Sequence, residues 1–414
     1  MRVLVASDYY PPFIGGGHRA TRALALRLRA AGHVVTVATV SHPGLPGRET
    51  DGGVDVRRLP HLRSLLRPLR RRRRQEHHPP FPDPLTTLAL RRLLRETQPS
   101  VVYAYGWIAY SAALARVGTR VPLVLGAHDY GFACPTRTLV RDDAACPGPR
   151  AAACLACAPR TYGRTKGWVT ALGVLAGRPL LRGSTRGLHS ISAYVEEVTA
   201  RDLLRDGTPG VIRRTLPSFS EETDDEGSPE AIARALAQLP EEPFVLFVGA
   251  LRRVKGVEVL LDAYARLDAP PPLVLLGTVE SDSPASWPDG VVVVEDVPHG
   301  AVMQAWARCL FGVAPSLWPE PLGLVVHEGM SRGRAVIGTR PGGHADLIAD
   351  GETGLLVPAG DAAALAAAMR TLLERPELRR RLGDAARRRA AETSGDRLVP
   401  AYEALLREAA GSRP

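Results

Sequence analysis

The chain has few aromatic residues, no long apolar run and no leader-like start. Aromatic side chains make up 5% of its 414 residues, and none is interleaved with the arginines as a stacking platform, which argues against a nucleic-acid partner. The longest apolar stretches fall short of the ~18 residues that a membrane span needs. Met1 to Ala6 lacks the basic region, apolar core and cleavage site of a signal peptide. We therefore expect a cytoplasmic protein.

The positive charge is unevenly distributed. The formal net charge is +10, and Arg57–Arg74 supplies much of it, including the unbroken run Arg70–Arg74, with four prolines following soon after. We expect an exposed, partly mobile loop here. It is either simply solvated or attracted to an anionic membrane, such as the inner face of the cell membrane, or to a charged acceptor.

Apolar runs alternate with helical patterns along the whole chain, which predicts an α/β fold with parallel sheets flanked by helices. At 414 residues the chain exceeds the ~250–300 that one core supports, so two domains are expected. A Ser-, Glu- and Asp-rich stretch marks the boundary between two Rossmann-like, doubly wound domains whose binding loops lie at the carboxyl ends of the strands. The predicted segments are a first domain 1–219 with a cysteine-rich insert at about 130–160, a linker 220–240, a second domain 240–395, and a last helix within 396–414.

Two glutamates flank a proline-glycine helix start. Glu320 precedes a helix predicted over Leu322–Met330, and Glu328 lies two turns into it. The unpaired N–H groups of Leu322, Gly323 and Leu324 would favour a diphosphate or sugar hydroxyls at the same place. This arrangement indicates a sugar-nucleotide site. The alternative is a plain turn residue followed by a solvated helix residue.

Three cations crowd the loop that starts another helix. Arg252, Arg253 and Lys255 would be electrostatically misplaced at a helix N-terminus unless an anion such as a diphosphate bound there, although a solvated basic loop remains the alternative. Gly342-Gly343 could present backbone amides to the same ligand or form a simple turn.

The glycine loop Gly15-Gly16-Gly17 formally fits G-x-G-x-x-A. Its distance from the first strand is too long for a dinucleotide site, and no acidic residue ends the strand Val34–Val40 to bind a ribose. Gly16 and Gly17 therefore either approach a ligand with their backbone or form a turn.

Four of the five cysteines cluster in the first half. The spacing Cys134-x11-Cys146-x7-Cys154-x2-Cys157 favours a structural zinc site, since cytoplasmic cysteine clusters are more often metal sites than disulfides. A disulfide or redox pair and unconnected buried thiols remain alternatives.

These loops, in this order, resemble the retaining glycosyltransferases of family 4, which adopt the two-domain GT-B fold. The E-x7-E pattern of Glu320 and Glu328 carries the resemblance, supported by Lys255-Gly256, Gly342-Gly343 and the Asp350–Pro358 segment. The resemblance implies a nucleoside-diphosphate-sugar donor in the second domain, an acceptor in the first, facing domains, and a last helix that returns to the first domain. The chain departs from the family pattern at a few positions, with Ala250 replacing an arginine, and Leu322, His344 and Asp346 replacing other common residues.

The resemblance also implies roles for single residues. Glu328 would hold the ribose, Glu320 and the amides of Leu322–Leu324 the sugar and diphosphate, and Lys255 the phosphates, with Arg252 or Arg253 replacing the missing arginine. His128 would lie beside the transferred sugar, and His128 or Asp129 could act as a base, although His128 could also be an ordinary hydrogen-bonded histidine.

No Asp-x-Asp motif is present, so we expect no catalytic metal. A sugar-nucleotide epimerase or hydrolase of the same architecture and a non-catalytic binding subunit remain alternative functions. The sequence leaves the nucleotide base, the sugar, the acceptor (a lipid, a glycan or a secondary metabolite) and the oligomeric state open.

Overall fold

The structure, a computed structural model of the chain, describes residues 1–8, 10–13, 16–65, 77–142, 144–205, 208–219 and 227–411. Gly15, the arginine run Arg70–Arg74 and the acidic residues 221–226 lie outside these ranges. The chain divides into two compact units. The first comprises Met1–Arg141, Cys146–Ser220 and Gly395–Pro414, and the second comprises Asp142–Ala145 and Glu221–Ser394.

The strands of the first part of the chain are β1 (Arg2–Ser7), β2 (Val34–Val40), β3 (Arg48–Asp51), β4 (Val54–Leu59), β5 (Val101–Tyr105), β6 (Leu123–Ala127), β7 (Val140–Arg141), β8 (Ala144–Ala145), β9 (Thr185–Ser190) and β10 (Ile212–Thr215). Eight of them form one sheet in the order β10-β9-β6-β5-β1-β2-β4-β3. Neighbouring strands are parallel except for β3, which pairs antiparallel with β4. Nearly continuous apolar runs form the central strands β1, β2, β5 and β6, because helices cover both faces of a parallel sheet. The edge strands β3 and β10 are mostly polar.

The helices of the first unit are α1 (Gly16–Ala30), α2 (Leu62–Leu65), α3 (Pro84–Thr97), α4 (Ile108–Ala115), α5 (Ala151–Tyr162), α6 (Arg164–Ser184), α7 (Ala193–Thr199) and, from the end of the chain, α15 (Gly395–Ala409). A short π-helix, Ala200–Leu204, extends α7. Helix α15 packs Leu398, Tyr402 and Leu405 into the same core as Val3 and Val5 of β1. The last helix is therefore part of the first unit, as the family resemblance implies.

The second unit has a six-stranded parallel sheet. Its strands are β11 (Val245–Val248), β12 (Leu273–Leu276), β13 (Val291–Val294), β14 (Phe311–Val313), β15 (Val336–Arg340) and β16 (Leu355–Pro358), in the order β13-β12-β11-β14-β15-β16. Its helices are α8 (Pro229–Leu236), α9 (Val257–Ala265), α10 (His299–Arg308), α11 (Leu324–Ser331), α12 (His344–Leu347), α13 (Ala362–Glu374) and α14 (Pro376–Glu392), and a 3₁₀ turn, Arg253–Lys255, precedes α9.

Strand order reverses between β1 and β5 in the first sheet and between β11 and β14 in the second. Ligands of doubly wound sheets bind at the carboxyl ends of the strands beside such a reversal. Asp8 follows β1, His128 follows β6, and the segment from Ala314 to Glu320 follows β14. The fold therefore sets His128 and Glu320 after the carboxyl ends of strands, each within its own unit. The predicted α/β fold with parallel sheets in two units is confirmed.

Among the described helices, none combines the length and the apolar character that crossing a bilayer requires.

Candidate functional site

The second unit joins Lys255 and Glu320 in one ion pair. The Lys255 Nζ lies 2.8 Å from Oε2 and 3.1 Å from Oε1 of Glu320. The same carboxylate accepts hydrogen bonds from the Ser316 hydroxyl at 3.0 Å and from the Trp318 indole at 2.7 Å. Lys255 also lies over the Trp318 ring, with Nζ 5.0 Å from the centroid. Residues that are distant in the sequence, Lys255 and the segment Ser316 to Glu320, thus form one ion-pair and hydrogen-bond cluster.

The electrostatics keep Glu320 ionised. Burial alone would raise the pKa of Glu320, but the charge of Lys255 and hydrogen bonds from Lys255 and Ser316 bring it below its usual value. Burial lowers the pKa of the nearby His344 to about 4, so this imidazole is neutral at neutral pH and Lys255 supplies the opposing charge. The Lys255 side chain is 30% exposed and that of Glu320 12%, so the ammonium is the more accessible end of the pair.

Backbone packing fixes the position of this pair. Gly256 has φ 77°, and a Cβ there would lie 1.9 Å from the carbonyl oxygen of Pro315. Next to it, the Leu317 N–H donates to the carbonyl of Val254 at 3.0 Å. The loop before α9 and the loop after β14 are therefore pressed together, and only glycine fits at their closest approach.

Gly342 and Gly343 brace the Glu320 segment from the other side. A Cβ on Gly342 would lie 2.7 Å from the Glu320 nitrogen, and one on Gly343 would lie 2.2 Å from the Pro321 oxygen. The Gly343 N–H already donates to the Glu320 carbonyl at 2.6 Å. The idea that both glycines offer their amides to a ligand is therefore wrong for Gly343, because its amide is used in packing.

Glu328 is buried on α11, with 1% of the residue exposed, and its Oε1 lies 3.1 Å from Nε2 of His299. The helix begins at Leu324, two residues later than predicted. Gly323 precedes it in a left-handed conformation, φ 91°, where a Cβ would come within 2.6 Å of the His344 ring. The amides of Leu322 and Gly323 thus belong to the turn, and that of Leu324 to the first helical residue.

Arg252 and Arg253 are half exposed and lie near acidic side chains. The Arg252 Nε is 3.2 Å from Asp282 Oδ1, and the Arg253 Nε is 3.7 Å from Glu258. Of the three cations predicted in this loop, the structure brings only Lys255 to Glu320. No local motif indicates that Arg252 pairs with Asp282, which lies beyond the next strand.

In the first unit His128 belongs to a chain of buried hydrogen bonds. The Tyr103 hydroxyl lies 2.7 Å from His128 Nε2 and 2.7 Å from His189 Nδ1. His189 Nε2 in turn lies 2.8 Å from the Leu216 carbonyl, and Ser218 Oγ lies 3.3 Å from His128 Nδ1. The His128 ring also stacks on Tyr105, with the centroids 4.0 Å apart.

The carbonyl of Leu216 can only accept, so it fixes every proton in this chain. His189 must carry its proton on Nε2, which leaves Nδ1 to accept from the Tyr103 hydroxyl. The Tyr103 oxygen then accepts from the Nε2–H of His128, so His128 Nδ1 is the accepting nitrogen. Burial and the neighbouring His189 hold the pKa of His128 well below its usual value. His128 is thus a neutral imidazole with a defined tautomer.

Asp129 is tied into the structure. Its Oδ1 accepts from the Gly131 N–H at 2.7 Å, and its Oδ2 forms an ion pair with Arg137. Arg137 lies over the Trp107 ring at 5.0 Å. Each carboxylate oxygen therefore already has a partner, which weakens the prediction that Asp129 acts as a base.

Asp8 is a titratable residue that the sequence reasoning missed. It is buried at the end of β1, and its carboxylate accepts from the N–H groups of Trp107 and Ile108 at 2.8 and 3.0 Å, where α4 begins. Burial raises its pKa to about 7, although Arg137 and the two N–H groups oppose this. A carboxylate directly after the first strand of a doubly wound sheet was the available signal.

Gly16 and Gly17 form the first residues of α1, and the Thr21 hydroxyl donates to the Gly17 carbonyl at 2.8 Å. The described part of this loop thus leads directly into the helix.

The four clustered cysteines line one pocket. Cys134, Cys146, Cys154 and Cys157 all face it, together with Arg141 and Gly148. None of the five cysteines, all of which the structure describes, forms a disulfide. Cys134 Sγ lies 3.1 Å from the Thr136 hydroxyl, and Cys146 Sγ donates to the Gly148 carbonyl at 3.5 Å. As the side chains stand, no three Cys, His, Asp or Glu groups of the described residues are placed to share a metal ion.

The start of the basic segment is ordered, so the loop prediction is wrong for its first residues. Arg57 and Arg58 lie in β4, and residues 62–65 form α2. Arg58 is buried, where it donates to Glu49 at 2.7 Å and to the Pro11 carbonyl at 2.9 Å. Strand β4 contains Asp55, Arg57 and Arg58 among its apolar residues, and these charged residues made the segment resemble an exposed loop in the sequence. The run Arg70–Arg74 is outside the described residues.

Two family models match the chain. The model for a glycosyl transferase 4-like domain matches residues 15–210, and the model for glycosyl transferases group 1 matches residues 228–389. The chain therefore belongs to the family-4-like glycosyltransferases with the GT-B fold.

Curated relatives are similar over part of their length. D-inositol 3-phosphate glycosyltransferase of Streptomyces coelicolor is 33% identical over 183 residues, which are 40% of each chain. Alpha-maltose-1-phosphate synthase of Mycobacterium tuberculosis is 29% identical over 252 residues, 51% of this chain and 65% of that one. The chain thus spans about 40 to 65% of the length of these relatives.

Solved structures are similar over nearly the whole chain. Sucrose-phosphate synthase of Thermosynechococcus elongatus aligns with a TM-score of 0.74 at 22% identity and 99% coverage of both chains. HepE of Anabaena in complex with UDP-glucose aligns with a TM-score of 0.65 at 17% identity, covering 99% of this chain and 98% of that one. At this identity the similarity establishes the fold.

Proposed function

We propose that the protein is a retaining glycosyltransferase that moves a sugar from a nucleoside-diphosphate sugar to a hydroxyl-bearing acceptor. The paired Lys255 and Glu320 carry this proposal. An accessible ammonium against an ionised carboxylate offers a cation for phosphate oxygens beside an acceptor for sugar hydroxyls. HepE, which has the same fold, binds UDP-glucose.

The donor would be held by the second unit. Lys255 would contact the diphosphate, with the amides of Leu322, Gly323 and Leu324 nearby, and Glu320 would accept from sugar hydroxyls. Glu328, whose carboxylate lies beside His299, would hold the ribose. Arg252 and Arg253 would join the diphosphate only by leaving Asp282 and Glu258.

The first unit would supply the acceptor side. Gly16 and Gly17 would approach the diphosphate, and His128 would lie beside the transferred sugar with its proton on Nε2. Asp129 would act mainly by orienting Arg137 and the loop after β6, given its existing partners. Tyr103 and His189 would then be positioning residues, because their hydrogen bonds set the tautomer of His128.

The chemical problem is the charge that develops on the leaving nucleotide when the bond from the sugar to phosphate breaks. A fixed cation and amides stabilise that charge without a metal ion, a form of electrostatic preorganisation worth several kcal/mol. With the leaving phosphate on the acceptor's side, its oxygen can take the acceptor's proton while the acceptor oxygen attacks the same face. The anomeric configuration is then retained.

Nucleotide release tests the proposal. The purified protein is incubated with a panel of nucleotide sugars, with and without acceptors, and release of the nucleoside diphosphate is followed. We expect release that depends on an acceptor. Release without any acceptor would favour an epimerase or a hydrolase, and no release in any combination would leave only a binding subunit.

We also propose that the four clustered cysteines hold a structural zinc ion. Four thiols around one pocket match the ligand set of a closed structural site, and Cys154 and Cys157 lie one turn apart on α5. Zinc binding would require Cys134 and Cys146 to exchange their contacts with Thr136 and Gly148 for the metal.

Metal analysis of the untagged protein tests the zinc proposal. We expect about one zinc per chain, lost in Cys154→Ser and kept in Cys309→Ser, a matched control because Cys309 is a buried thiol in the other unit. Thiol titration in denaturant and chelator separates the alternatives. Five titratable thiols with no metal would mean free cysteines, and fewer than five without reductant would mean disulfides.

A further inference from the structure

Helix α6 has an apolar face that no part of the chain described by the structure covers. Trp168 is 47% exposed, Val169 52% and Leu172 55%. Thr165, Ala176 and Pro179 are also exposed, and at 100° per residue these six positions fall on one side of the helix. We call them the α6 face.

The opposite side of α6 accounts for the helix's own packing. Gly167, Thr170, Ala171, Val174, Gly177 and Leu181 are buried. A Cβ on Gly167 would lie 2.3 Å from Pro159 of α5, and one on Gly177 would lie 2.3 Å from the Tyr110 ring. The helix therefore already buries a complete face, and the α6 face is a second apolar side with no packing partner among the described residues.

The segment of the sequence that contains α6 carries charge of a single sign. Residues 144–195 contain no Asp or Glu, but seven basic residues: Arg150, Arg160, Arg164, Lys166, Arg178, Arg182 and Arg186. Arg164 lies over the Trp168 ring at 5.8 Å, and Lys166 lies over the Tyr162 ring at 4.8 Å, both at the start of α6. Arg164 thus lies directly beside the exposed tryptophan, and Lys166 lies at the same end of the helix.

We propose that the α6 face docks on an anionic membrane surface. An apolar helix side carrying Trp and Leu, edged by Arg and Lys, is the pattern of a helix that lies in the headgroup region of a bilayer. Tryptophan prefers that depth, and each nearby cation gains from anionic lipid. A second copy of the chain fits less well, because two such surfaces would bring Arg164 and Lys166 of each copy together with no carboxylate from residues 144–195 to pair with them.

The position of the α6 face determines which part of the protein membrane docking would hold at the lipid surface. Helix α6 packs against α4 and α5. Helix α5 carries Cys154 and Cys157, two of the four cysteines that line the cysteine pocket. Docking there would hold the first unit at the lipid surface through an ordered helix. This differs from the sequence-based expectation, which assigned membrane attraction to Arg57–Arg74.

Vesicle flotation of the full chain tests the proposal. We expect binding to phosphatidylcholine vesicles that contain phosphatidylglycerol, weaker binding to phosphatidylcholine alone, and loss of binding at high salt. The double variant Trp168→Ser/Leu172→Gln should weaken binding about tenfold, since two partly buried apolar side chains are lost. Leu88→Gln on α3 is the matched control, because Leu88 is 64% exposed and lies outside the α6 face.

A second variant separates charge from apolar contact. Arg164→Glu/Lys166→Glu should lower binding to anionic vesicles and leave binding to neutral ones unchanged. Equal binding by the α6 variants and the Leu88 control would overturn the proposal. So would self-association of the wild-type protein in sedimentation that the double variant abolishes, since a second copy would then cover the face. Nucleotide release with water-soluble acceptors is measured separately, so this test can fail without affecting the proposed function.

Discussion

At the scale of single residues, the choice of lysine at position 255 is informative. Of the 53 basic residues only Lys166 and Lys255 are lysines, the rest being arginines. A compact ammonium can contact both oxygens of Glu320 and lie over Trp318, whereas a planar guanidinium presents its donors in a rigid fork. The position therefore favours a point charge.

Glu320→Gln should lower nucleotide release and stability together. The variant leaves Lys255 without its counter-charge in a partly buried site, which we expect to cost about 1–2 kcal/mol after allowance for solvent screening. Release assays and urea unfolding measure the two effects. Glu377→Gln is the control, because Glu377 is 80% exposed in a surface pair with Arg380. Unchanged release in Glu320→Gln would remove this pair from the proposed site.

Tyr103→Phe should change the tautomer of His128 while leaving the histidine itself in place. The variant removes the hydroxyl that both accepts from His128 and donates to His189, so the proton of His128 is no longer held on Nε2. We expect kcat to fall more than KM for the donor changes, and the ¹⁵N shifts of the His128 ring to show mixed tautomers. In Tyr402→Phe the link between Tyr103 and His128 remains, so a single tautomer is expected there. A single tautomer in both variants would contradict the relay.

At the scale of elements, the loop before α9, which carries Lys255, and the loop after β14, which carries Glu320, are held together by one close backbone contact between Gly256 and Pro315. Gly256→Ala should destabilise the second unit by more than about 2 kcal/mol and lower nucleotide release, because the new Cβ would meet the Pro315 carbonyl. Gly351→Ala is a matched control. Gly351 has φ 76°, nearly the same as Gly256, but nothing lies within 4 Å of a Cβ there. Urea unfolding that gave equal losses for both would mean that backbone strain alone, not the clash, sets the cost.

Strands were the easiest elements to predict from the sequence. The predicted strand Val34–Val40 agrees with β2 to the residue, because buried parallel strands are continuous apolar runs. The start of α11 was missed by two residues, since it depends on the His344 ring against Gly323, a contact between distant positions.

The candidate site was only partly predictable for the same reason. Glu320 and Lys255 could be found from local motifs. Asp8 could also have been found, from its place directly after β1. Its contact with α4 and the position of Tyr103 between two histidines could not, because strand order brings those partners together. The exposure of the α6 face was equally hidden, since an apolar pattern does not say which side of a helix is covered.

At the scale of the whole molecule, buried histidines should make the protein sensitive to acid. Burial lowers the pKa of His77 to about 3 and those of His78, His189 and His344 to about 4. A base with a lowered pKa contributes stability above its unfolded pKa of 6.5, and that stability is lost as the pH falls toward the folded pKa. Each such proton changes the unfolding free energy by about 1.4 kcal/mol per pH unit.

We therefore expect the urea midpoint to fall between pH 6.5 and 4.5. Asp8 acts in the opposite direction, because its pKa is raised to about 7 and its protonation in the folded state favours folding as the pH falls. Asp8→Asn should thus make the acid-side decline steeper. A midpoint that stays constant or rises on acidification would show that these histidines are accessible to protons in the native state.

The first unit is assembled from both ends of the chain. Helix α15 contributes Leu398, Tyr402 and Leu405 to the core that contains β1, and its Glu403 lies against His33. During synthesis residues 1–219 must wait, with part of their interior open, until α15 has left the ribosome. The intervening half has no such dependence and is free to fold first, so a prematurely terminated product would combine a finished second unit with a first unit vulnerable to proteases.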